Sequence, residues 1–328
     1  MGSVLIMGKR TDDMEKIIDD LRKSYCDKER VKNASIKLPQ NISFFIEKED
    51  VVIIKLNKKS VCKNMQDDEA AFESWALALK GWLDYINEIK LEWERPDNIK
   101  DGHYQRFLYR VNKFREIFKW FSVASVSNEF LKDSLVTYDE KYIVNFPKNK
   151  AVENVRSREA YYEHIFLDNY QSLLADKADI DNIYNQLPVG LFKDCISKET
   201  SLFTGGKSAI DIWGTNKEKN KLSIFELKAP EVRKIGILSE LFFYAMFEYD
   251  VLNKQFIYKT NCNEKENIRG LEELLNVINS GAKKIEAYTL TTTLHPLIDE
   301  NILELINNSL KVANKDIKFG YILYSNKI

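Results

Sequence analysis

The chain has 328 residues, 44% apolar and 30% charged, which is ample for a buried core and enough chain for about two domains. Its 49 Lys and Arg stand against 50 Asp and Glu, a formal charge of -1 that excludes a polybasic protein and an acidic disordered tail. Any nucleic-acid partner is then expected to be held by a local basic patch, because the whole-protein field is weak.

At the N-terminus the apolar run covers only Val4 to Met7, too short for a signal-peptide core, and Ile6 stands where a myristoylation signal wants Ser or Thr. No window approaches the roughly 18 uninterrupted apolar residues of a membrane span. Cys26, Cys62, Cys195 and Cys262 are far apart and form no C-x-x-C pair, so scattered reduced thiols are expected, with neither a zinc knuckle nor a disulfide framework. These readings give a cytoplasmic protein with no membrane partner.

Residues 36–56 read as a β-hairpin, with β-rich runs Ile42 to Ile46 and Val51 to Leu56 around a charged turn. The stripe Phe72, Trp75, Leu79, Trp82, Ile86, Ile89 and Trp93 predicts one long helix from Asp67 to Glu94. A second amphipathic helix is predicted over 103–121. The proline-bearing polar stretch 145–150 marks the expected boundary between an N-terminal α+β domain (1–150, hairpin plus two long helices) and a C-terminal domain (151–328).

Beyond that boundary helices and strands alternate. Helices are expected at 153–175, 234–250, 265–280 and 297–313, and strands at 189–196, 208–214, 221–229, 254–260, 284–293 and 317–324. This is a mixed α/β core. The N-terminal 150 residues carry 27 Lys/Arg and 25 Asp/Glu, the remainder 22 and 25, too small an asymmetry to assign a nucleic-acid-binding half.

The informative segment runs from Gly205 to Ala229. Two apolar runs flank a polar turn at 215–220, as in an antiparallel hairpin. With alternating side chains, Glu226 and Lys228 share a face of the second strand. A turn symmetric about 217 and 218 sets Asp211 opposite Ile224; a slip of two in the sum sets it opposite Glu226. Either register gathers Asp211, Glu226 and Lys228 on one side, whereas a slip of one sends Asp211 to the other. Acids and a lysine in a strand of Ile, Phe, Leu and Trp must be paired, bound to metal or at an edge. Two converging carboxylates suit Mg²⁺, with Mn²⁺ as a substitute, and a nearby ammonium can orient or deprotonate a water or offset transition-state charge.

On these residues the segment resembles the PD-(D/E)xK nucleases, the restriction-endonuclease-like fold. Asp211 matches the first acid and Glu226-Leu227-Lys228 the E-x-K; Ile210 stands where the signature has proline. The resemblance covers residues 153–325 and implies a mixed sheet flanked by helices, with hydrolysis of phosphodiesters. It implies a nucleic-acid substrate, DNA before RNA because most of the superfamily act on DNA, and a role in restriction or defence. Many members carry a further metal-holding acid on the preceding helix, where Glu159 and Glu163 stand four apart. Exonuclease-like members carry Gln-x-x-x-Tyr on the following helix; here it is Glu240 to Tyr244, leaving Glu240 as either an orienter or an extra carboxylate. The N-terminal domain would bind substrate, form a homodimer or choose the target.

Gly205-Gly206-Lys207-Ser208 looks like the end of a P-loop, but Ser201 replaces the required glycine and a strand follows where a helix is needed. Lys207 is instead a candidate phosphate contact. Arg106, Arg110 and Lys113 recur opposite the apolar stripe of the 103–121 helix and could track a phosphate backbone, although a solvated basic face is the commoner explanation. A catalytically silent nuclease fold serving as a nucleic-acid or protein binding module is the alternative reading; retention of Asp211, Glu226 and Lys228 speaks against it.

Overall fold

A computed structural model describes residues 2–147, 158–203, 208–230, 232–259 and 268–325; of residues 2–11 and 158–160 it describes the backbone alone. The chain forms two units. The first comprises Met1–Ser134, Lys234–Ser239 and Leu294–Ser309, and the second comprises Leu135–Arg233, Glu240–Thr293 and Leu310–Ile328.

In the first unit, α1 (Gly2–Glu29) precedes β1 (Ile42–Lys48) and β2 (Val51–Leu56), an antiparallel hairpin. The single helix expected over 67–94 is corrected: α2 (Phe72–Trp82) ends at an extended Leu83, and β3 (Glu88–Trp93) follows. Glu88 to Trp93 alternates strictly, with Ile89, Leu91 and Trp93 buried, and that period of two wins over the coincidental helical spacing of the aromatics. β3 lies parallel to β2, and α2 makes the crossover. The carboxylate of Asp101 accepts the His103 and Tyr104 N–H groups to cap α3 (Gly102–Ile117), after which β4 (Phe121–Val123) adds parallel to β3. The sheet order is β1-β2-β3-β4. Phe72 packs against the rings of Phe107, Phe114 and Phe121 in the core, and the short α4 (Ser125–Asn128) follows.

The basic row on α3 is not an open face. Arg106, Arg110 and Lys113 are 1%, 2% and 3% exposed, which corrects their expected role as surface phosphate contacts. Glu73 of α2, itself fully buried, takes the Arg110 guanidinium in a two-pronged pair, with Nε to Oε1 at 2.6 Å and Nη2 to Oε2. Arg106 Nη2 lies 3.0 Å from His103 Nδ1, and Lys113 Nζ sits 5.4 Å from the centre of the Tyr109 ring. The α3 surface is covered on more of its circumference than its apolar stripe implies.

The expected boundary at 145–150 is also displaced. β5 (Tyr142–Val144) pairs within the second unit, so the division falls at Ser134/Leu135, and two later segments return to the first unit. Ser239, from one of them, exchanges a 2.8 Å hydroxyl contact with Ser74.

The second unit continues through α5 (Arg158–Asn169), α6 (Gln171–Ala178), β6 (Asn182–Pro188), β7 (Leu191–Phe192), β8 (Ala209–Thr215) and β9 (Lys221–Leu227). Then come α7 (Ile237–Leu252), which starts in the first unit and enters the second at Glu240, β10 (Phe256–Ile257), α8 (Leu271–Ser280), β11 (Lys284–Thr291), α9 (Glu300–Val312), which belongs to the first unit as far as Ser309, and β12 (Ile317–Leu323). The helix expected over 153–175 is two helices parted at Tyr170; of the strand expected at 189–196 only β7 forms, and β6, whose polar residues mask its pattern, precedes the expected range. A small sheet runs β10-β5-β7. The main sheet runs β12-β11-β9-β8-β6, with β6, β8 and β9 antiparallel to their neighbours and β9, β11 and β12 parallel. Architecture and class are mixed α/β.

Every residue of the central strand β9 is buried. Phe166, Leu174, Ile212, Phe225, Leu227, Leu290 and Ile322 build the core on one side of it. Among the described residues no helix is long and apolar enough to cross a membrane.

Candidate active site

The site forms where β8 and β9 part. Ile212 pairs with Phe225 and Trp213 with Ile224, so the next step brings Asp211 level with Glu226, the second of the two registers the sequence allows. The backbone ladder stops there. Asp211 Oδ2 instead accepts the Leu227 N–H at 2.8 Å, so a side chain takes over from the strand and aims the carboxylate at Glu226. On the other side of β9, Glu226 is level with Thr289 of β11.

Lys228, two residues on, shares the face of Glu226. Its Nζ donates to Glu226 Oε1 at 2.5 Å and to Glu240 Oε2 at 3.2 Å. Glu240, in the first turn of α7, also accepts from the Tyr244 hydroxyl at 3.0 Å, one helical turn on. Each Glu240 oxygen thus has a donor, Oε2 the Lys228 ammonium and Oε1 the Tyr244 hydroxyl. Tyr324 donates to the Lys228 carbonyl at 2.6 Å and fixes the backbone behind the ammonium.

The electrostatics follow from burial. Desolvation pushes the Asp211 carboxyl well above the usual carboxylate range; Lys228 opposes that shift, while Glu163 and Glu240 add to it. Desolvation likewise raises Glu226 well above its ordinary value, and Asp211 and Glu240 add to it. For Lys228, burial favours the neutral amine, but the charges of Glu226, Glu240 and Asp211 outweigh it and hold the ammonium well above its ordinary value.

Glu163 of α5 is buried and joins this field; its Oε2 accepts from Gln186 Nε2 at 2.8 Å. Arg269 also faces Glu163, and its Nη2 donates to the Asn185 carbonyl at 2.8 Å. The side chain of Glu159 and the whole of Lys207 lie outside the described residues. Arg106, Arg110 and Lys113 belong to the first unit and are not among the groups gathered here. Sequence reasoning missed Gln186, Arg269 and Tyr324. None of the three carries a mark in the sequence, and Gln186 lies in a strand whose polar residues hide its period.

Four carboxyl groups (Asp211, Glu226, Glu240 and Glu163) thus surround two cations (Lys228 and Arg269), and burial pushes the Asp211 and Glu226 carboxyls toward their neutral forms. Glu226 Oε2 is buried with no hydrogen-bond partner among the described residues. An orphaned carboxylate oxygen beside a second raised carboxyl fits a dication, which would take Asp211 and Glu226 as its protein ligands. Among the described residues no group of three or more His, Cys, Asp or Glu is gathered as a metal-binding set. No family model, curated protein or solved structure matches the chain.

Proposed function

We propose that the protein is a metal-dependent nuclease of PD-(D/E)xK type that hydrolyses phosphodiester bonds, with DNA as the expected substrate. The observation that carries the reading is the meeting of Asp211, Glu226 and the Lys228 ammonium on one face of the sheet, with one Glu226 oxygen buried and unpartnered. The antiparallel β6-β8-β9 run, preceded by α5 and α6 and followed by α7, supports the restriction-endonuclease-like fold that the resemblance implies. A role in restriction or defence rests on that resemblance alone.

Asp211 and Glu226 would hold Mg²⁺ or Mn²⁺, which when bound supplies an acidified water and neutralises charge on the phosphate. Glu163 supplements the negative field around the pair. Lys228, hydrogen-bonded to Glu226 and Glu240, would act as a hydrogen-bond donor and a positive charge beside the attacking water or the pentavalent transition state. Glu240 and Tyr244 fix where that ammonium points.

The test is incubation of the full chain with labelled single- and double-stranded DNA and RNA, with Mg²⁺ or with EDTA. Cleavage that requires Mg²⁺ and is lost in Glu226→Gln and Lys228→Ala is the expected result. A wild-type chain that cuts none of these substrates but retains one of them on a gel would replace this reading by the binding-module one.

A further inference from the structure

We infer that Gln186 is a positioning residue of this site: it holds the Glu163 carboxylate toward the Asp211–Glu226 pair, and its unusual backbone serves that purpose. The inference rests on the nuclease reading and extends it to a residue outside the D…ExK signature.

The argument begins with the β6 register. Asn185 pairs with Ile212 and Leu187 with Ile210, so Gln186 comes level with Asp211, yet this one pair is not formed. Gln186 instead adopts φ 55°, a left-handed conformation in the middle of a strand. L-residues other than glycine avoid that region because Cβ crowds the following carbonyl, and glutamine lacks the short side chain that eases Asn or Asp into it. Residues held there persist only when their surroundings demand it, and they concentrate at functional sites.

Two contacts show what is gained. The Gln186 amide donates to Glu163 Oε2 at 2.8 Å, orienting a carboxylate that already acts on Asp211. The Asn185 carbonyl, just ahead of the interrupted pair, accepts from Arg269 Nη2 at 2.8 Å, and the same guanidinium faces Glu163. The strand break at 186 and the break at 211 thus lie side by side. Together they free Asp211 from backbone pairing with β6 at the level where its carboxylate must face Glu226. An amide that orients an acid beside a metal pair is the usual way an outer contact tunes metal affinity.

Gln186→Gly separates the two roles, because glycine accepts φ 55° without crowding but has no amide. Mn²⁺ alone is titrated into the full chain and free Mn²⁺ is read by electron paramagnetic resonance, with the thermal midpoint measured in parallel. The expected result is an unchanged or raised midpoint together with roughly tenfold weaker Mn²⁺ binding. In a Glu163→Gln background the same substitution should weaken binding no further. Gln186→Asn tolerates the backbone but falls short of Glu163, and should weaken Mn²⁺ binding to a similar degree. If wild type binds Mn²⁺, Glu226→Gln loses it, and Gln186→Gly and Gln186→Asn bind as wild type, Gln186 is only a kink and the inference is overturned. If wild type itself binds no Mn²⁺, the metal reading falls and takes this inference with it.

Discussion

Two buried charged clusters, one in each unit, look alike in sequence and differ in consequence. In the first unit Glu73 and Arg110 match one to one: both carboxylate oxygens are taken by the guanidinium fork, whose Nη2 also reaches the Ala70 carbonyl at 3.0 Å. In the second, Asp211, Glu226 and Glu240 crowd one ammonium, and a Glu226 oxygen is left over. The first arrangement is complete and needs nothing further. The second holds more carboxyl groups than cations, and burial raises two of them, the pattern found where a ligand is to supply the balance. Burial of a charge alone therefore does not single out a site, and the mismatch in the second cluster is what the nuclease proposal rests on.

The largest effect that would break this contrast is on activity. Glu226→Gln should reduce phosphodiester cleavage by on the order of 10³-fold in a gel assay, while the thermal midpoint stays level or rises because a desolvated acid is removed. The matched pair should behave the opposite way. Arg110→Ala leaves Glu73 buried alone and should cost about 3–5 kcal/mol in urea unfolding, with cleavage per folded molecule unchanged. Replacing both partners together, as Glu73→Leu with Arg110→Met, should recover most of that loss.

A third buried acid sharpens the comparison further. Glu248, two turns beyond Glu240 on α7, has neither oxygen hydrogen-bonded among the described residues, and burial pushes its carboxyl up to about 8 from 4.5. Its protonated form is the one the fold favours, so its contribution is complete below pH 4.5 and is lost as pH rises through about 8. The loss by pH 7 is on the order of 3 kcal/mol. Urea midpoints at pH 5, 7 and 8.5 should show this decline, and Glu248→Gln should flatten it. The smallest effect belongs to an exposed pair: Lys58→Ala, which removes the 3.2 Å contact to Asp97, should change stability by less than ~0.5 kcal/mol in the same assay.

Much of the site was legible because its chemistry contradicts its surroundings. Asp211, Glu226 and Lys228 stand out in strands of Ile, Phe, Leu and Trp, and period-two alternation set their faces without knowledge of the fold. The turn left two registers open, and pairing along β8 and β9 settles the choice. Arg106, Arg110 and Lys113 misled for the converse reason: an arginine that will find a buried partner looks the same in sequence as one on a solvated face, and Glu73 lies 37 residues before Arg110. The merged α2–β3 helix arose because Trp75, Leu79, Trp82, Ile86, Ile89 and Trp93 satisfy a helical period by accident. Gln186 was out of reach because a left-handed backbone at a non-glycine position has no compositional mark.

The bond from the Leu227 amide to the Asp211 side chain makes one carboxylate the hinge pin between two strands as well as, on the nuclease proposal, a reagent. Truncation at 211 would fray the end of two strands as well as remove a ligand, whereas Asp211→Asn keeps an oxygen able to receive that amide. An inert form meant to capture bound substrate is therefore better made with asparagine at this position than with alanine. A lineage abandoning catalysis would be expected to shed Lys228 before it shed the aspartate.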